Sequence, residues 1–222
     1  IRGRFRSVPM QELLNEAKRL ASEGVKELVL VAQETTLYGK DLTGEKQLPL
    51  LLHELCKIEG IEWIRLLYCY PEEITDELIK VIKTEEKVCN YIDMPIQHSE
   101  NRILQRMGRR TSREDLVAVI KKLRKEIPDI TIRTTLITGF PGESQEDHEG
   151  LMNFVEECQF DRLGVFTYSP EEDTLAATFE DQIDEEVKEE RRDELMSLQQ
   201  EISYEHTQQL VGKTIKVMVE GY

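Results

Sequence analysis

I-T-I-R-T-T-L-I-T-G-F-P-G-E, residues 130–143, is a β-branched strand that runs directly into a Gly-Phe-Pro-Gly turn and then a capped helix. Ile130, Ile132, Thr134, Leu136 and Ile137 suit a buried parallel strand. Gly139, Pro141 and Gly142 then let the backbone pass close to a small ligand or simply close a βα turn. Ser144, with Asp147 three residues on, predicts the N-cap of the next helix, whose free N–H groups suit an anionic group. Together these features read as one unit of a β/α barrel, with the turn on its working rim.

Outward from this unit, strand and helix signals alternate. Residues 9–23 carry Leu13, Leu14, Ala17, Leu20 and Ala21 at helical spacing, with Ser7 as a cap and Gly24 as a stop. A strand is predicted at 27–32, a helix at 48–58, a strand at 63–69, a helix at 75–83 and a strand at 91–94. A short helical turn near 101–107 precedes a helix over 112–126 with a core stripe of Leu116, Val119, Ile120 and Leu123. Strand 131–138, helix 145–158 and strand 163–168 complete the pattern. Five strands separated by helices predict an α/β fold with a parallel sheet, wound as a barrel or an open sheet. A polar helix over 185–210, closed by Gly212, leads into K-T-I-K-V-M-V-E (213–220), which alternates like the first strand of a small β domain. The first element is a helix in a fold whose units begin with strands, so at least one strand is expected to precede Ile1.

The 222 residues suit one barrel-sized domain. The longest apolar runs fall far short of the roughly 18 residues a membrane span needs, so the chain is read as cytoplasmic, with no membrane partner. Cys56, Cys69, Cys89 and Cys158 are too scattered for a metal knuckle and read as reduced thiols. A net charge of −15 argues against a nucleic-acid grip by this chain and for basic partners. Much of the acidity lies in 171–194, where it reads as a solvated helix face.

In a barrel the chemistry sits past the C-terminal ends of the strands. Those ends are polar throughout: Gln33, Glu34, Thr35 and Thr36; Tyr68, Tyr70 and Pro71; Asp93, Pro95, Gln97, His98 and Ser99; the Gly139 turn; Tyr168 and Ser169. Five polar strand ends in register argue for a site. Glu34 suits an ammonium ligand, a base or a helix cap. His98 suits a base or a capping residue. Arg133, inside a strand, requires a carboxylate partner, which Glu34 or a ligand could supply.

The motifs V-A-Q-E-T-T-L-Y-G (31–39), Y-I-D-M-P-I-Q-H-S (91–99), R-M-G-R-R (106–110), I-T-G-F-P-G-E (137–143) and F-D-R-L-G-V-F-T-Y-S-P-E-E-D-T (160–174) together resemble the radical S-adenosylmethionine methylthiotransferases, most closely the branch that modifies a ribosomal protein. The likeness spans nearly the whole chain. It implies a partial radical-type (β/α) open barrel with its first strand missing. Residues 1–180 would be the radical domain, 181–212 a helical connector and 213–222 the start of a truncated TRAM β-barrel that assists substrate binding. I-R-G-R-F-R-S (1–7) resembles the segment that follows the family's cluster-binding C-x3-C-x2-C loop.

That loop does not occur here, and the four cysteines lack its spacing. The resemblance thus implies a parent enzyme with S-adenosylmethionine, two 4Fe-4S clusters and an electron donor, of which this segment holds neither cluster and is inactive alone. In the parent, reductive cleavage of S-adenosylmethionine leads to hydrogen abstraction and insertion of a methylthio group. By the same analogy, Gln33 and Glu34 meet the cofactor's amino group and Arg133 its carboxylate. Gln97 and Ser99 meet its ribose, and Tyr168 with the Gly139 turn its adenine side. The substrate is an aspartate of the basic small-subunit protein at the decoding centre or, in a sister branch, a tRNA adenosine. The motif wording and acidic charge favour the protein. Two readings of other classes are an iron-free barrel lyase or isomerase using Glu34 or His98 as base, and an acidic scaffold whose helix near 185–201 binds a basic partner.

Overall fold

The computed structural model describes residues 3–219. Ile1 and Arg2 of the I-R-G-R-F-R-S segment, and Glu220 at the end of the expected last strand, lie outside the described residues. In chain order the elements are α1 (Met10–Ser22), β1 (Glu27–Leu30), α2 (Lys40–Thr43), α3 (Leu48–Cys56), β2 (Trp63–Leu66), α4 (Asp76–Thr84), β3 (Tyr91–Asp93), α5 (Asn101–Arg106), α6 (Arg113–Glu126), β4 (Thr131–Thr138), α7 (Gln145–Cys158), β5 (Arg162–Thr167) and α8 (Glu185–Gln208).

Every strand pairing is parallel: β1 with β2, β3 with β4, and β4 with β5. β2 and β3 are joined by a bridge between Ile64 and Val88, and by the Cys69 N–H donating to the Asp93 carbonyl at 2.8 Å. The five strands therefore stand side by side in chain order, as they do in a barrel wall. Among the described residues β1 and β5 each pair with a strand on one side only, which makes the barrel open.

The longest strand shows how the sequence positions the site. In β4, Ile132, Thr134, Leu136 and Thr138 are buried, while Thr131, Arg133, Thr135 and Ile137 alternate with them on the inner face. The strand is thus fully buried on one side only, and Ile137 faces inward rather than into the outer core. Outside the sheet lie the helices. Leu116, Ile120 and Leu123 of α6, and Leu151, Phe154 and Val155 of α7, fill the layer between. Both helices begin with a capping box, Ser112 with Asp115 and Ser144 with Asp147, which satisfies their first N–H groups.

α8 lies along β5 and buries two cations. Lys188 Nζ donates to the Tyr168 carbonyl at 3.1 Å, and Arg191 Nη1 pairs with Glu143 Oε1 at 2.8 Å. Residues 213–219 form no strand, contrary to their alternation. Among the described residues this segment touches the body through Lys216, which pairs with Glu62 and lies 5.4 Å over the Trp63 ring, and not through a backbone ladder. Among the described residues no helix is long and apolar enough to cross a membrane.

Candidate functional site

Two cavities open on the inner face and over the C-terminal strand ends. The first, of about 850 Å³, is bordered by Gln33 and Glu34, by Tyr68 and Tyr70, by Asp93 and Gln97, and by Arg133 and Thr135. The second, of about 700 Å³, is more apolar and lies against Ile137, Phe140, Tyr168 and Met107. Gln97, Arg109 and Phe166 border both. Phe166 is 61 % exposed on this inner face, an aromatic ring with no core to enter.

Glu34 is buried at the lip of the first cavity. Its Oε1 accepts from the Thr36 N–H at 3.0 Å and from the Thr36 hydroxyl, and it also takes the Tyr70 N–H at 3.5 Å. Oε2 is buried with no partner. Burial pushes the Glu34 carboxyl above its ordinary value, against the pull of the Thr36 and Tyr70 hydrogen bonds. An orphaned buried carboxylate oxygen is costly unless a donor arrives, and an ammonium group supplies one.

The partner of Arg133 is not Glu34. Asp93, only 1 % exposed at the end of β3, accepts from Arg133 Nη1 through Oδ1 at 2.5 Å and from the Tyr68 N–H through Oδ2 at 3.0 Å. β3 and β4 set these residues directly abreast, Asp93 opposite Arg133. Asp93 thus fixes the guanidinium while its remaining N–H groups face the cavity. Two rim residues hold left-handed backbones without being glycine, Tyr68 at φ 56 and Gln97 at φ 73. Such conformations cost free energy and concentrate where a ligand is held.

His98 lies behind the strand ends and borders neither cavity. It is wholly buried, its Nδ1 accepts from the Glu100 N–H at 3.0 Å, and its Nε2 lies 3.4 Å from Glu143 Oε2. Glu143 folds back under the turn and accepts from the Gly139 N–H at 2.9 Å. At Gly139, with φ 68, a side chain would collide with Lys188, so only glycine fits. Gly139 and Ser99 line neither cavity; Ser99 donates instead to Glu100 at 3.0 Å. Tyr168 borders the second cavity, packed edge-on against Phe140 at 5.2 Å, and its buried hydroxyl has no partner. The capping box of α7 takes the Asp147 N–H and the Ser144 N–H before it.

The expected residues Gln33, Glu34, Gln97 and Arg133 therefore share the first cavity, and Gln97 and Tyr168 the second. Asp93, Arg109 and Phe166 belong to the same walls without having been given roles. Asp93 was legible as a strand-end carboxylate, and Arg109 as the cation after a loop glycine. Phe166 gave no polar signal. The cysteines do not fit an iron–sulfur cluster. Burial raises the Cys56 and Cys158 thiols to about 11, and raises Cys69 further still. Among the described residues no group of three or more His, Cys, Asp or Glu could hold a metal ion.

Residues 1–155 match the family model of the radical SAM superfamily. The chain is 62 % identical over 221 residues to ribosomal protein uS12 methylthiotransferase RimO of Lachnoclostridium phytofermentans, and 56 % identical over 222 residues to the protein of that name from Clostridium perfringens. Each alignment covers 100 % of this chain and 50 % of the relative, so the chain spans about half the length of these curated proteins. Among solved structures, the radical S-adenosylmethionine methyltransferase TsrM from Kitasatospora setae superposes with a TM-score of 0.58 at 17 % identity, over 72 % of this chain and 31 % of that one. That likeness is one of fold.

Proposed function

This chain belongs to the radical SAM superfamily, and from that premise we propose that it is the S-adenosylmethionine-binding body of a methylthiotransferase acting on ribosomal protein uS12. The observation that carries the cofactor reading is the pairing, in one cavity, of the unpartnered Glu34 oxygen with the Asp93-steadied Arg133 guanidinium. An amino-acid zwitterion needs both at once, an acceptor for its ammonium and a fork for its carboxylate. Glu34, with Gln33 beside it, takes the ammonium. Arg133 takes the carboxylate, and Asp93 keeps it in place.

Gln97 faces the ribose at the boundary of the cavities, and the apolar second cavity receives the adenine between Ile137, Phe140 and Tyr168. Ser99 and Gly139 support those walls from behind. Glu34 and Asp93 are buried at the amino-acid end, while Arg133 stays open to the cavity. When bound, S-adenosylmethionine supplies the one-electron chemistry that removes hydrogen from an unactivated carbon. Cys56, Cys69, Cys89 and Cys158 do not have the spacing of a cluster-binding loop.

Similarity along the full chain to two relatives named as uS12 methylthiotransferases supports uS12 as the substrate, and the motif resemblance implies that the modified group is an aspartate side chain of it. The charge of −15 suits a basic ribosomal protein and opposes tRNA. An external electron donor completes the set of partners, and α8 serves as the connector toward a small β domain. The test is the mass of uS12 purified from cells with and without the gene encoding this chain. One methylthio group on an aspartate, present only with the gene, is expected. An unmodified uS12 in the presence of the gene, or a methylthio group on tRNA adenosine instead, overturns the proposal.

A further inference from the structure

We infer that Arg109 is the receptor for the substrate's carboxylate, a specificity-determining residue at the boundary of the two cavities. The inference rests on the uS12 reading above and deepens it. Around Arg109 three arginines of this segment are matched with acids. Arg102 pairs with Asp147, Arg106 with Asp181 at 2.6 Å, and Arg113 with Glu100 at 2.5 Å. Arg109 has no ion pair among the described residues, in a chain with 44 acidic side chains. Arg110 is also unpaired, but it borders neither cavity.

The position of Arg109 is fixed even so. Gly108, at φ 73, turns the chain after α5, and the Arg109 N–H donates to the Leu104 carbonyl at 2.8 Å. The guanidinium lies 5.0 Å over the Tyr70 ring. A cation–π contact uses none of the guanidinium's N–H donors in hydrogen bonds, so they stay available to the two oxygens of a carboxylate. Within the first cavity Arg133 is already offset by Asp93, which leaves Arg109 as the uncompensated cation. Phe166 beside it offers an apolar surface for the carbon stem of a short acidic side chain. A carboxylate on a basic protein fits this site better than the phosphates of RNA, because the chain as a whole carries a net charge of −15, which opposes a polyanion.

The test uses two peptides that copy the modified uS12 loop, one with the target aspartate and one with asparagine in its place. Each is titrated by fluorescence anisotropy against this chain and its Arg109→Met and Arg109→Lys variants. The unsubstituted chain is expected to favour the aspartate peptide by about tenfold. Arg109→Met is expected to bind both alike, and Arg109→Lys to keep part of the preference. General damage to the fold weakens both peptides together and leaves their ratio intact, so the ratio isolates the carboxylate contact. No preference in the unsubstituted chain, or an unchanged ratio in Arg109→Met, overturns the assignment while leaving uS12 as substrate. Binding of a tRNA anticodon stem-loop and of neither peptide overturns the substrate reading and the carboxylate receptor with it.

Discussion

At Asp93 one buried carboxylate serves two partners, the Arg133 guanidinium and the Tyr68 N–H. Asp93→Ala leaves both unsatisfied and is expected to cost about 2 kcal/mol, less than a fully buried pair because Arg133 reaches the cavity and its water. Urea denaturation measures this directly, and a midpoint equal to that of the parent would contradict it. Glu34 acts in the opposite sense. Its folded carboxyl sits above the ordinary value because of burial. The native chain therefore keeps a proton there over a pH range where the unfolded chain has lost it, and stability falls as pH rises through that range. Glu34→Gln removes this loss. Thermal melts from pH 5 to 8 should decline less steeply for the variant, while calorimetry shows weaker S-adenosylmethionine binding. Both residues were legible as polar strand ends, but the Asp93–Arg133 pair was not. It joins residues 40 apart in sequence through the register of β3 with β4, and no local pattern encodes register between strands.

Among the elements, β4 and α7 follow the sequence closely because strong local signals coincide there: strict alternation, a glycine turn and a capping box. Ser144→Ala removes the acceptor for the Asp147 N–H and is expected to destabilise the chain by about 1 kcal/mol, read from the shift in denaturation midpoint. Ser144→Asp should restore most of it. β1 ends at Leu30, two residues short of its apolar run, since Val31 faces the open cavity. Residues 213–219 have the alternation of a strand but pair with no strand among the described residues. In both cases periodicity reported side-chain chemistry, whereas strand formation depended on what lay alongside. The acidic face of α8 was legible too. Its burial of Lys188 and Arg191 was not, because the acids and carbonyls they meet come from the β4 turn and the end of β5.

On the scale of the molecule, a chain of net charge −15 forms an open parallel barrel whose inner face carries both cavities. A basic substrate should approach it by electrostatic steering, so its association rate with this chain should fall as salt is raised from 50 to 500 mM while dissociation changes less, as stopped-flow fluorescence would measure. A rate indifferent to salt would mean that the acidity has no part in recognition. Gln97, Arg109 and Phe166 form a party wall between two rooms, and a party wall cannot move for one tenant alone. A ligand that shifts it from either side changes the fit on the other by the same free energy in both directions. On the proposed reading the cofactor lies in both rooms and the substrate meets Arg109 in the wall itself, so the binding of each is coupled to the other within one thermodynamic cycle.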